Sequence, residues 1–425
     1  MSRVLLVTII LIGRSGTEVV CCETARGLRK RGHDVSIYTQ QDGPSADRLR
    51  AEGFEVTTDL ASLTSIPEVI QANQTYPLLE AVGRFPCVPA ISICHDATVW
   101  YNEPIDLPSI RRHVAVDLVC HDRIVGRFPH LGGRVQILRN AVDLDHFRPR
   151  AALPERPKRA LILAKHSGFL DAVRSACLQR GIDVDTFGPA IGNEVDDLSS
   201  RLGDYDLVFA TARSALEAMA SGCAVIVVDG RGLAGLVTRE VVSSWHQNNF
   251  GLRLLSRGVS TASIVDEIDR YDAADVRLVT DFIRGHSSLD GYLDRLEDMH
   301  RDVMAEGASI DDDGLIYRMS QSFRSLATAQ QVQTQIDFQH FAVSREAELQ
   351  AEFQSRAGAR EAELRAEFRD RTSAREAELR AEYQNHAAAK EAEFRAEFQA
   401  CKDSVAPRNL GRRLKDKVRL LLFRA

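Results

Sequence analysis

Over the first 300 or so residues, short β-branched apolar runs alternate with amphipathic helical stretches, and this restricts the chain to a layered α/β fold. "RVLLVTIIL", "DVSIYT", "VPAISIC" and "RVQILR" read as buried strands, with "AVDLVC" between the last two as a strand or a helix end. Such runs are apolar at nearly every position, which suits strands covered on both faces of a parallel sheet. The helix "TEVVCCETARGLRKRG" stops at Gly32, a residue that ends helices easily. "FRPRAALPERPKRA" holds three prolines and a cluster of charges and reads as a linker. The alternation then restarts with "RALILA", "DVDTFG", "YDLVFA" and "AVIVVD". The helical stretch "ADVRLVTDFIRGHSSLDGYLDRLEDMHRDVMAE" is expected to close the second domain near residue 305. Two Rossmann-like domains, 1–150 and 151–305, with a cleft between them are therefore expected.

A chain of 425 residues that is 44% hydrophobic has apolar material for two cores. Its net charge of -6 argues against nucleic acid as a partner. The eight cysteines show neither a disulfide framework nor metal-ligand spacing, which points to a reducing, cytoplasmic setting. The N-terminal "MSRVLLVTIILIG" has the look of a signal peptide, but a glycine-containing loop and an amphipathic helix follow it, so a first strand is the expectation. No segment reaches the ~20 apolar residues needed to span a bilayer.

Beyond the polar break "GASIDDDG", a Gln-rich helical linker (306–344) leads into a repeat with starts at 345, 360, 375 and 390. Fifteen residues over four turns is 3.75 per turn, a period that favours a right-handed supercoil. Leu349, Phe353, Leu364, Phe368, Leu379, Tyr383, Phe394 and Phe398 fall on one stripe, and pairs such as Glu361–Arg365 and Glu367–Arg371 support the helix. A lone solvated helix and a self-associating coiled coil (345–403) both fit, and the aromatic stripe favours self-association. The final stretch, 404–425, carries seven Arg or Lys and one Asp within "APRNLGRRLKDKVRLLLFRA", with Leu410, Leu414, Val418 and Leu421 at helical spacing. A basic amphipathic helix of this kind suits an anionic membrane surface, and it also suits an acidic protein partner. If it engages lipid, the protein sits peripherally at the inner membrane face.

Ligands of open parallel sheets bind beyond the carboxyl ends of strands. Three stretches lie there. "LIGRSGTE" offers Gly13, Gly16, Thr17 and Glu18 in a turn before a helix, where backbone N–H groups can hold an anion, although it is not G-x-G-x-x-G. "ISICHDATVWY" places His95 after a strand, either as a catalytic group or as a structural histidine. "ATARSALEAMASGCAVIVVD" sets a short helix between two strands, with Gly222 as its stop. A helical projection puts Leu216, Met219 and Ala220 on the buried side, and Glu217 on the polar side with Arg213, Ser214 and Ser221. Glu217 is then either half of an i,i+4 pair with Arg213 or an acceptor for sugar hydroxyls at a phosphate-binding helix start.

Together, "LIGRSGTEVVCCETARGLRKRGHDVSIYT", "EVIQANQ", "ISICHD", "ILRNAVDLDHFRP" and "SALEAMASGCAVIVVD" resemble, in order, the family 4 glycosyltransferases of GT-B fold over about residues 1–300. The resemblance implies a retaining transferase that takes a nucleotide-sugar donor and needs no metal or other cofactor. It implies that Glu217 holds the nucleotide ribose, as the second glutamate of an E-x7-E motif. His95 would lie near the transferred sugar, and Gly16 and Glu18 near the acceptor. Lys165 stands where a basic residue holds the donor diphosphate, with Arg213 and Ser214 beside it. The chain departs from the pattern at Phe209, where the first glutamate of E-x7-E belongs, and at Ala141, where glycine is usual. These departures leave a catalytically degenerate GT-B scaffold as the alternative, and a nucleotide-sugar epimerase of the same fold as a third reading.

Overall fold

The computed structural model describes residues 1–150, 152–193, 195, 197–306 and 312–403. The polar break at 307–311 and the basic tail at 404–425 lie outside the described residues. The chain divides into two compact units, 1–335 and 336–425.

The first unit contains two sheets. In the first, β1 (Arg3–Leu11), β2 (Asp34–Asp42), β3 (Glu55–Thr57), β4 (Val69–Ala72), β5 (Ala90–Cys94), β6 (Ile110–Ala115) and β7 (Val135–Ile137) pair in the order 3-2-1-4-5-6-7. Every pairing is parallel. Its connecting helices are α1 (Gly16–Lys30), α2 (Pro44–Ala51), α3 (Thr75–Arg84) and α4 (Leu118–Arg127). "AVDLVC" thus divides: β6 ends at Ala115, Asp117 caps the next helix through Cys120 N at 2.8 Å, and Leu118 begins α4.

The second sheet contains β8 (Arg159–Leu163), β9 (Asp183–Phe187), β10 (Leu207–Ala210), β11 (Ala224–Asp229) and β12 (Gly232–Leu236), in the order 12-11-10-8-9. The edge strand β12 runs antiparallel to β11, so this sheet is mixed. Around it lie α5 (Leu170–Gln179), α6 (Ser199–Leu202), α7 (Ala212–Ala220), α8 (Val242–His246), α9 (Thr261–Asp269) and α10 (Ala273–His286). Gly222 ends α7 with φ +83°, the left-handed conformation that glycine adopts without strain.

The helical stretch expected to close the second domain breaks at Ser287–Ser288 into α10 and α11 (Leu289–Ala305). α11 does not pack on the second sheet. Its Tyr292, Leu293, Leu296, Met299 and Val303 join the core between the first sheet and α1. A Cβ on Gly27 of α1 would stand 2.4 Å from Leu293 Cδ1, so any larger residue would force the Leu293 side chain of α11 to repack. The last helix, α12 (Asp312–Asp403), starts in the first unit, where Leu315 and Leu326 complete the core beneath α3.

In the second unit, α12 is helical to Asp403, and the apolar stripe from Leu349 to Phe398 is exposed throughout, with Phe353 at 74%. The Glu361–Arg365 pair forms at 2.6 Å, and Glu391–Arg395 repeats it at 2.7 Å. Exposed pairs of this kind add only tenths of a kcal/mol each. Among the described residues no helix is long and apolar enough to cross a membrane.

Candidate functional site

Strand order creates a crevice where neighbouring strands send their following helices to opposite faces. In the first sheet this falls between β1 and β4, and in the second between β8 and β10. Residues 12–18 follow β1, Asn73 follows β4, Lys165 follows β8, and Thr211 and Arg213 follow β10. The topology therefore brings most of the sequence-derived candidates to two crevices.

The two crevices meet through Arg213. Its Nη2 donates to both carboxylate oxygens of Glu23 on α1, at 2.5 and 2.6 Å, and its Nε donates to Glu217 Oε1 at 2.7 Å. Arg213 is 7% exposed and Glu217 8%. Glu217 is therefore buried and not on a solvated polar side. Both faces of α7 are covered, and within it only Ala212 and Ser214 are more than marginally exposed. Burial works against the Arg213 charge, but the two carboxylates outweigh it and hold its pKa above the usual arginine value. Burial pushes the Glu217 carboxyl up, while Arg213 pulls it down. A cavity of about 10 Å³ adjoins the trio and is lined by Glu23, Thr24, Asn140, Arg213 and Tyr292 among others. That is room for about one water.

Lys165 is exposed, yet its pKa is lowered, first by burial and then by Arg231. Glu217, Asp229 and Asp96 act on Lys165 in the opposite sense, so these groups share its neighbourhood. His95, directly after β5, donates from Nε2 to Asn73 Oδ1 at 3.2 Å. Burial and then Arg213 bring its pKa down to about 4, so the ring is neutral at physiological pH. A neutral imidazole here offers one donor and one acceptor.

The loop after β1 differs from expectation. Glu18, 2% exposed, turns back and accepts N–H bonds from Ile12 (2.7 Å), Gly13 (2.7 Å) and Ser15 (2.8 Å). The loop's own carboxylate thus fills the backbone cradle that was expected to hold an anion. Gly13 and Gly16 do not adopt positive φ, so the turn makes no use of their conformational freedom. Gly16 and Thr17 begin α1, in the first turn where helical N–H groups lack intrahelical partners.

Phe209 is fully buried inside β10, paired with Ile162 and Ile226 and packed in the apolar core on one face of the second sheet. Position 209 therefore lies within the sheet, and its phenylalanine packs in the core. The chain passes from β10 to α7 through Thr211 alone, and Ala212 takes φ +52° to make the turn. Its N–H is held by Phe250 O at 2.9 Å, and Phe250 itself has φ +49°. Two non-glycine residues in the left-handed region, joined by one hydrogen bond, set the start of α7 at a cost of order 1–3 kcal/mol each.

Sequence reasoning did not find Glu23 or Asn73. Glu23 sits in an ordinary amphipathic helix, and only the fold brings it to Arg213, 190 positions away. Among the described residues no group of three His, Cys, Asp or Glu side chains is placed to hold a metal ion.

No protein-family profile matches the chain, and no curated protein matches it. Among solved structures, it is similar to WaaG, a glycosyltransferase involved in lipopolysaccharide biosynthesis, at 12% identity over 70% of this chain and 99% of that one, with a TM-score of 0.47. A Listeria monocytogenes protein designated a candidate UDP-N-acetylglucosamine 2-epimerase is 12% identical over 68% of this chain and 94% of that one, with a TM-score of 0.43. The catalytic domain of starch synthase IV from Arabidopsis thaliana, bound to ADP and acarbose, is 9% identical over 72% and 99%, with a TM-score of 0.43.

Proposed function

We propose that the chain is a GT-B glycosyltransferase that binds a nucleoside-diphosphate sugar at the second sheet and an acceptor at the first. The supporting observation is the meeting of Lys165, Arg213 and Glu217 with His95 where the two strand-order crevices face each other. In this reading Glu217 accepts hydrogen bonds from the ribose hydroxyls. Lys165, Arg213 and the first turn of α7, with Ser214, hold the diphosphate and stabilise it as it leaves. A phosphate beside Lys165 would also return its pKa toward the ordinary lysine value. Neutral His95 hydrogen-bonds the transferred sugar, and the chemistry proceeds with retention and without a metal. Gly13, Gly16, Thr17 and Glu18 shape the acceptor side, with Glu18 bracing the loop and not touching a ligand.

Arg213 is tied through Nη2 to Glu23 and through Nε to Glu217, so a diphosphate on Arg213 would compete with Glu23 for its charge. Donor binding then loosens the tie between α1 and α7. The buried Phe209 leaves the donor sugar without the expected carboxylate contact, and this favours a second reading, a degenerate scaffold. Incubation with UDP-glucose, UDP-N-acetylglucosamine, GDP-mannose and ADP-glucose tests the choice. Slow release of free nucleoside diphosphate from at least one donor is expected, and its loss in Lys165→Ala. Inertness toward all four supports the scaffold.

We also propose that residues 345–403 assemble copies of the chain through the exposed Leu and Phe stripe, and that 406–425 bind an anionic membrane surface. Analytical ultracentrifugation of the full chain is expected to give an oligomer that Phe353→Glu with Phe368→Glu converts to a monomer. Vesicles containing phosphatidylglycerol are expected to co-sediment the full chain but not a chain ending at Asp403. A monomeric full chain, or equal sedimentation of both chains, contradicts the corresponding proposal.

A further inference from the structure

The loop that carries His95 and Asp96 continues into a single turn at Trp100–Asn102 beside the start of α3. Three aromatic rings form a row there. Tyr76 meets Trp100 edge to face with centroids 5.4 Å apart, and Trp100 meets Tyr101 likewise at 5.7 Å. All three are partly exposed. The chain has two tryptophans, and the other, Trp245, packs against the core of the second sheet.

Polar groups line the same loop. Asp96 is exposed and uses Oδ1 to hold Thr98 N at 2.7 Å and Thr98 Oγ1 at 2.6 Å. Asn102 is 2% exposed; its Nδ2 donates to Asp96 O at 3.1 Å, while its Oδ1 has no hydrogen-bond partner. That oxygen is buried beneath the loop, so Asn102 braces the loop through Asp96 O and does not face a ligand. The Asp96 charge acts on Tyr101, on His95 and on Lys165 across the cleft, which places the loop at the cleft's first-sheet wall.

We infer that this loop is a carbohydrate subsite, in which the exposed side of the Trp100 ring packs on the C–H face of a pyranose, Tyr101 flanks the sugar at a steep angle, and Asp96 accepts bonds from its hydroxyls. A pyranose presents an apolar face and a rim of donors, and recognising it takes flat aromatic surface and fixed acceptors side by side. A lipid chain would use the rings alone and leave the exposed Asp96 carboxylate unmatched. The subsite rests on the transferase reading for its purpose, as the place of a glycan acceptor. Its binding is read without any nucleotide, so the two ideas fail separately.

The full chain is applied to a glycan array, and the strongest binders are titrated against a Trp245→Phe variant, in which Trp100 is the only tryptophan. Binding of at least one glycan is expected, with a saturable change in Trp100 emission. Trp100→Ala and Tyr101→Ala are expected to weaken binding about tenfold. Trp100→Phe, which keeps the packing on Tyr76, is expected to lose less. Tm and the far-ultraviolet circular dichroism spectrum should stay at the wild-type values in these variants, showing that they fold. No glycan bound, unchanged emission on binding, or full affinity in both alanine variants would overturn the subsite.

Discussion

Arg213→Met is expected to cost the protein roughly 3–5 kcal/mol of folding stability, the usual result of removing one partner from a buried ion pair. Methionine fills much the same volume, so the loss is electrostatic and not one of packing. Glu23 and Glu217 would face each other without the cation that now lies between them at 2.5 to 2.7 Å. The pH dependence gives the cause away. Burial already raises the Glu217 pKa, and without Arg213 it rises further. A carboxyl with a raised folded pKa contributes fully at low pH and loses that contribution as pH rises through the folded value. The deficit of the variant should therefore be largest near pH 8 and shrink toward pH 5. Urea unfolding at the two pH values measures it, as a shifted midpoint with an unchanged slope. Adding Glu23→Gln and Glu217→Gln should recover much of the loss. A deficit under about 1 kcal/mol at pH 8 would show that water screens the trio.

Acid should unfold the protein well before its carboxylates are all protonated. His113, His246 and His300 are 2%, 8% and 1% exposed, and burial brings each pKa from an ordinary 6.5 down to about 4. A group whose folded pKa is depressed gives stability that is complete above the unfolded value and lost as pH falls through the folded one. The window is therefore pH 6.5 down to 4, and one such histidine is worth roughly 3 kcal/mol across it. Three of them exceed half of the 5–15 kcal/mol by which a typical domain is stable. His113 Nε2 and His300 Nδ1 lack partners, so a proton added at either would be a donor with nothing to bind. His300 also joins α11 to β4 through Gln71 Oε1 at 3.1 Å, so its protonation would loosen α11 from the first sheet. Thermal melts between pH 7 and pH 4.5 should show a steep fall in Tm, partly flattened in His300→Gln. A flat profile over that range would contradict the assignment.

β1, β2, β5 and β7 to β11 were legible because apolar runs between helical stretches have few other uses, whereas the short β3 and β4 and the charge-interrupted "IRRHVA" of β6 were not read as strands. β12 was not legible. "GLAGL" has weak strand preference, and its pairing with β11 supplies what the local sequence lacks. The amphipathic pattern of α11 would look the same whichever sheet it covered, so its place on the first sheet could not be read. The burial of Glu217 had a local sign, since α7 is rich in Ala, Leu and Met on every side, as buried helices are. One charged pair in the helix masked that sign. Phe209 was marked by motif spacing as a missing cleft residue. Its own neighbours, "LVFA", already described the interior of a strand, and the structure agrees with them. Glu23 had no local signal, because only tertiary packing joins α1 to α7.

Calorimetric titration of UDP and GDP into the wild-type chain, Glu217→Ala and Glu23→Gln tests the central claim, that the cleft at α7 holds a nucleoside diphosphate. The wild type is expected to bind at least one of the two. Glu217→Ala should bind it more weakly by about 1–3 kcal/mol, the loss of a charged hydrogen bond, or roughly 5- to 150-fold. Glu23→Gln should bind it more tightly, because the competitor for Arg213 has lost its charge. No binding of either nucleotide below about 1 mM, or equal affinity in the wild type and Glu217→Ala, would contradict the account.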